Sequence, residues 1–167
     1  FAAKALFEHP EWRERIQTET AERGTLIDGP IATAFGQEVR RYYPFVPVLP
    51  AFARTDFEFK GEKVNKGDRI LIDVLNTNTD PVSWERADEF DPGDLGKDFH
   101  EAEAIETFIP HGGSDVRTGH RCPGEKIAVS SLGMAVAAMC EPGVEILGEG
   151  LEFSWRAMPT RPEAAVW

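Results

Sequence analysis

The apolar positions of this chain change period several times, and each change predicts an element. Phe1 to Glu8 has the pattern of the last turns of a helix, interrupted by His9-Pro10. Glu11 to Arg23 predicts a second, mostly polar helix, with Trp12 and Ile16 as its spaced apolar residues and Gly24 as its stop. After the Asp28-Gly29-Pro30 turn, Ile31, Phe35, Val39 and Tyr42 or Tyr43 recur at helical spacing. That third helix must end before Pro44, because a proline restricts the residue ahead of it.

Tyr43 to Pro50 holds Pro44, Pro47 and Pro50 among aromatic and aliphatic residues, and predicts an extended, buried stretch. Thr55–Phe59 and Asp68–Val74 alternate as strands do, with Lys66-Gly67 in the turn between them. Asn76 to Ile105 is loop-like and acidic, turned at Asp80-Pro81 and Asp91-Pro92 and anchored by Trp84, Phe90, Leu95 and Phe99. A glycine-rich segment, Phe108 to Cys122, leads to Pro123, which opens a helix with an apolar stripe of Ala128, Leu132, Ala135, Val136 and Met139. Short strands are expected at Val144–Leu147, Leu151–Trp155 and Ala164–Trp167. The pattern is mainly α with a small β region.

Composition adds limits. With 167 residues, 41% of them hydrophobic and 28% charged, the chain has the balance of one globular domain or a large piece of one. No apolar run approaches the roughly 20 residues that cross a bilayer. The first residue is Phe1 inside a helical pattern and the last four are apolar, so the sequence is expected to be a piece of a longer chain. A net charge of -11 argues against nucleic acid as a partner. Against that acidic background Arg117, His120, Arg121 and Lys126 form a basic cluster around Cys122. Two cysteines are too few for a disulfide framework, which favours a reducing, cytoplasmic setting.

Cys122 stands at the entry of a helix, after a flexible loop and between cationic side chains. The unpaired N–H groups of a helix start favour a sulfur anion, the form that ligates metals or attacks electrophiles. Since Pro123 donates nothing, the donors would be the N–H groups of Gly124 and Glu125. Three readings fit these residues: a buried, inert cysteine, a catalytic or redox thiol, and a single-cysteine metal ligand as in thiolate-bound haem. A zinc site from His111, His120 and Cys122 lacks the usual paired ligand spacing. Spacing alone does not choose among them.

Gly-His-Arg-Cys-Pro-Gly-Glu at 119–125 resembles the haem-binding loop of the cytochrome P-450 superfamily, and in particular its branch of hydrogen-peroxide-using fatty-acid peroxygenases and decarboxylases. Glu38-Val39-Arg40-Arg41 resembles the superfamily's Glu-x-x-Arg helix. Lys66 to Asp73, running on to Asn78-Thr79-Asp80-Pro81, resembles its strand and following turn, and Trp84 to Pro92 its meander. The order of the four segments carries the match. There are departures. Asp115 and Thr118 stand where most members have phenylalanine and glycine, the glycine having moved to Gly119. Gly93 and Asp94 stand where the meander usually has its arginine.

The resemblance implies that residues 1–167 are the C-terminal part of a cytochrome P-450 fold, binding haem b through the Cys122 sulfur. An axial thiolate favours O–O cleavage in a bound peroxide. It further implies that His120 meets a haem propionate, that Arg121, Pro123 and Gly124 lie along the proximal face, and that Glu38 and Arg41 form a buried structural pair. Phe45, Val46, Val48 and Met158 would line the substrate channel. The expected reaction is peroxide-driven α or β hydroxylation, or decarboxylation, of long-chain fatty acids without a redox partner. The arginine that binds the substrate carboxylate in that branch lies on a helix of which Phe1 to Glu8 is the tail. A reductase-fed monooxygenase and a non-catalytic haem-binding or sensing protein are the alternatives.

Overall fold

A computed structural model describes residues 1–95 and 104–163. Three helices come first: α1 (Ala2–Glu8), α2 (Pro10–Arg23) and α3 (Pro30–Tyr42). Their breaks fall at the prolines and glycines that predict them, with Gly24 in the left-handed conformation at the end of α2. The start of α3 is fixed from another helix. Glu19, buried in α2, accepts from the N–H groups of Ile31 at 2.7 Å and Ala32 at 3.1 Å. Two amides that a helix start leaves unpaired are thereby satisfied, and α2 is locked against α3.

The last helix, α5 (Glu125–Met139), packs on α3. Their interface centres on Phe35 and Val39 of α3 and Val136 and Ala137 of α5, closed by Ala5, Leu6 and Ile16 from the first two helices and by Cys140. Two expectations for α5 are corrected. It begins at Glu125, two residues beyond Pro123. Its buried face runs through Glu125, Val129, Gly133 and Val136, whereas Ala128 and Ala135 are exposed. The face turns because small Gly133 sits against Thr33 of α3, which leaves Ala128 beside a cavity.

Four strands form two antiparallel pairs between these helices. β1 (Val48–Phe52) pairs with β4 (Arg69–Asp73), and β2 (Phe57–Phe59) with β3 (Glu62–Val64). The first and third were not legible, and β4 pairs with the proline-containing stretch instead of with its sequence neighbour. Pro50 is tolerated because alternate N–H groups of an antiparallel ribbon point outward. The stretch Tyr43 to Pro50 is buried only at its start: Tyr43 and Pro44 are covered, while Phe45 and Pro50 are exposed.

The acidic loop holds a short helix, α4 (Val74–Asn78), capped by Asp73, whose side chain accepts from Asn76 N–H at 3.0 Å. Trp84, Ala87 and Phe108 make a second small core. Phe90 joins the main one, stacked on His9 at 4.4 Å and against Phe35 at 5.1 Å. The Leu95 side chain, Phe99 and the strand expected at Ala164–Trp167 lie outside the described residues. Near the C-terminus a single bridge, Phe153 to Pro162, replaces the strand expected at Leu151–Trp155, and Val144–Leu147 forms none. Among the described residues no helix is long and apolar enough to cross a membrane.

Candidate haem-thiolate site

The loop ahead of α5 is folded back on itself by a two-residue ladder. β5 (Gly112–Gly113) pairs with β6 (His120–Arg121), Gly112 facing Arg121 and Gly113 facing His120. Only glycine fits at 112: φ is +86°, and a Cβ there would lie 1.8 Å from the His120 carbonyl oxygen. Asp115 closes the tip, accepting from the N–H groups of Arg117 at 2.8 Å and Thr118 at 3.0 Å. These bonds hold its carboxyl below the usual range, so the residue that departs from the superfamily pattern serves as a turn former.

The ladder delivers Cys122 to the surface with its main chain tethered on both sides. Its N–H donates to the His111 carbonyl at 3.0 Å, and its carbonyl accepts from Glu125 N–H at 3.2 Å. One of the two amides expected to face the sulfur is therefore spent on the turn itself. The thiol is exposed, which removes the reading of a buried, inert cysteine; that description fits Cys140. Nor is a zinc cluster assembled, since no group of three metal-ligating side chains occurs among the described residues.

Cys122, His120, Arg121 and Pro123 line a cavity of about 380 Å³ whose other side is apolar, formed by Val46, Leu49 and Pro110. A neighbouring cavity of about 270 Å³ shares His111 with it and is walled by Phe1, Val39, Phe45, Ala128 and Leu132. Of the expected channel residues, Phe45 and Val46 thus lie at these cavities. Val48 and Met158 line neither. Val48 is held in the β1–β4 ladder, and Met158 is 56% exposed, although its turn is fastened to the site by the Thr160 N–H bond to the Phe45 carbonyl at 2.9 Å.

These surroundings fit a flat, largely apolar cofactor bound through sulfur. A side chain at position 124 would begin 3.7 Å from Cys122 Sγ, and glycine keeps that approach open. Apolar walls flank the thiol, and the imidazole-bearing His120 stands on the same cavity, two residues from it.

Glu38 and Arg41 lie at the inner end of α3. Burial pushes the Glu38 carboxyl up to about 6, against the two bonds from Arg41. The Arg41 guanidinium also donates to the carbonyls of Asn78, Ala87 and Glu89 at 2.6–3.1 Å, while Asp91 N–H donates to Glu38 at 2.7 Å. The meander is thus held through its main chain, without the arginine missing at Gly93 and Asp94. Sequence reasoning passed over a second network: buried Arg40 contacts His111 and Glu125, and Glu125 also accepts from Arg121 Nε at 2.7 Å. The one available signal was the Arg121–Glu125 spacing of four residues across the cysteine.

Residues 4–141 match the family model described as cytochrome P-450. Among solved structures, a variant of cytochrome P-450 OleT in complex with arachidonic acid is 32% identical with a TM-score of 0.74, matched over 98% of this chain and 36% of its own. Cytochrome P-450EX alpha (CYP152N1) with myristic acid is 35% identical with a TM-score of 0.73, over 98% and 37% of the respective chains. The cytochrome P-450 monooxygenase pytD of Aspergillus terreus is 28% identical, over 83% of this chain and 38% of its own. The chain spans only part of the length of the relatives it matches, from 20% to 38%.

Proposed function

The chain belongs to the cytochrome P-450 family, and we propose that within its full-length protein it forms the thiolate side of a haem enzyme that oxidises long-chain fatty acids with hydrogen peroxide. The observation that carries this reading is the exposed Cys122 thiol, tethered on both sides of its main chain and opening onto an apolar cavity. The fatty-acid part rests on the two structural neighbours that hold arachidonic and myristic acid.

In this reading Cys122 Sγ would hold the iron of haem b, His120 would hydrogen-bond a propionate, and Pro123 and Gly124 would pack against the cofactor. The cofactor supplies the oxidising chemistry, which an anionic sulfur ligand favours by promoting O–O cleavage of peroxide. Phe45 and Val46 exclude water and hold the alkyl part of the substrate. Arg121, which lines the same cavity and donates from Nε to Glu125, would lie along the proximal face and help fix the cysteine turn. Glu38 and Arg41 hold the meander. The proposed setting is cytoplasmic, with no redox partner, and the products are hydroxy acids or, after loss of carbon dioxide, terminal alkenes.

The test mixes the full-length protein with peroxide and a fatty acid, without reductase, alongside the methyl ester of the same acid. Turnover of the acid and not the ester is expected. Turnover only with a reductase and reduced nicotinamide would assign it as a conventional monooxygenase, the reading favoured by its similarity to the Aspergillus terreus enzyme. Bound haem without turnover in either regime would assign a non-catalytic haem protein.

A further inference from the structure

Arg40 and Arg41 are adjacent on α3, and successive side chains on a helix diverge by about 100°. Arg41 takes the meander. Arg40 turns to the cysteine turn instead, where its Nη2 lies 2.9 Å from His111 Nδ1 and pairs with the Glu125 carboxylate. His111 and Glu125 are the two residues whose main chains hold Cys122, one by its carbonyl and the other by its N–H. A single guanidinium therefore grips both tethers of the thiol.

Stability alone is a poor account of this arrangement. The Arg40 and Glu125 side chains are 7% and 4% exposed, and a buried ion pair is weak evidence for net stabilisation. Arg40 Nε and Gln37 Nε2 also stay buried without a partner among the described residues, a cost a purely structural device would be expected to avoid. We infer that Arg40 and Glu125 are positioning residues that hold the Cys122 turn and set the charge balance at its sulfur. This rests on the reading of Cys122 as the iron ligand.

Within this network Arg40 and Arg121 are cations paired with one carboxylate, Glu125. Removing Arg40 makes the surroundings more negative and favours ferric iron, whereas removing the Glu125 charge does the reverse. In the full-length haem protein, Arg40→Gln is expected to lower the reduction potential and Glu125→Gln to raise it, with the double variant returning toward the parent. A purely structural role produces no such opposition, so shifts of the same sign, or none, overturn the assignment. If Arg40→Gln binds no haem, Arg40→Lys decides: loading at the parent potential supports the charge role, and failure to load overturns it. Cys122→Ala is run separately. If it keeps the strongly red-shifted band of the reduced, carbon-monoxide-bound protein, the ligand reading itself fails. If that band is lost while the potentials of the other variants do not move, only the role of Arg40 and Glu125 fails.

Discussion

Arg41 meets Glu38 across one turn of α3 through two parallel bonds, Nε to Oε2 at 2.8 Å and Nη2 to Oε1 at 2.7 Å, with both side chains almost fully buried. The remaining guanidinium hydrogens go to main-chain carbonyls of Asn78, Ala87 and Glu89, so all five donors are used. A lysine has three donors on one atom and cannot reproduce the fork. Arg41→Lys keeps the charge but not the fork, and is therefore expected to destabilise the full-length protein by about 2–4 kcal/mol, because three donors cannot serve the five bonds to Glu38 and the carbonyls. Urea unfolding of the haem-free protein, with haem content measured in parallel, checks this. A Lys variant of parent stability would show that the meander is held by something else.

How much of this was legible follows from the range of each interaction. Helix breaks at His9-Pro10, Gly24 and Pro44 are local chemistry and appear in the sequence as they do in the fold. The strand at Val48–Phe52 was hidden because three prolines mask alternation, and only its partner 17 to 25 residues away gives it a ladder. Arg40 and Glu125 lie 85 positions apart, and no spacing rule joins them. The stripe on α5 was misplaced because Ala128 and Val129 are both apolar, and only the approach of Thr33 to Gly133 settles which turns inward.

The two cysteines should behave oppositely. Cys122 is exposed, whereas Cys140 is 1% exposed in the main core and burial pushes its thiol up to about 11. In haem-free protein at pH 8, a thiol-reactive dye should label Cys122 quickly and Cys140 only on unfolding, since Cys140 is buried and its thiol stays protonated there. The same shift has a stability consequence. Between the ordinary value of 9.0 and about 11, the unfolded chain has released a proton that the folded chain retains. Stability from this group is thus full below pH 9 and is lost as pH rises through 11. The urea midpoint should fall across that window, and Cys140→Ala should remove that part of the fall.

Two glycines with positive φ separate backbone strain from collision. Gly24 has φ +65° with no atom within 4 Å of where a Cβ would lie, so Gly24→Ala should cost about 1–2 kcal/mol and leave haem binding intact. Gly112→Ala adds a clash with the His120 carbonyl and must open the β5–β6 ladder. Its haem content should collapse far beyond what its loss of stability explains. Equal effects of the two variants on haem content would mean that the ladder does not place Cys122.

The cavity beside α5 gives a test that separates the fold from the cofactor. Ala128 is exposed on the face that the buried stripe leaves free, and with Leu132, Val39, Phe1 and Phe45 it walls about 270 Å³ of open space. An apolar side chain there meets no packed neighbour in the haem-free protein, so Ala128→Phe should change its urea stability by less than about 0.5 kcal/mol. If the cavity is where the cofactor lies, the added ring occupies its space, and haem should be lost from a chain that is otherwise well folded. Ala135→Phe is the control. It is also exposed on α5, and position 135 is absent from the walls of both cavities, so it should bind haem as the parent does. Measuring haem content and circular dichroism for both variants decides the matter. Full haem loading of Ala128→Phe would move the cofactor away from this wall, and with it the role given to Phe45.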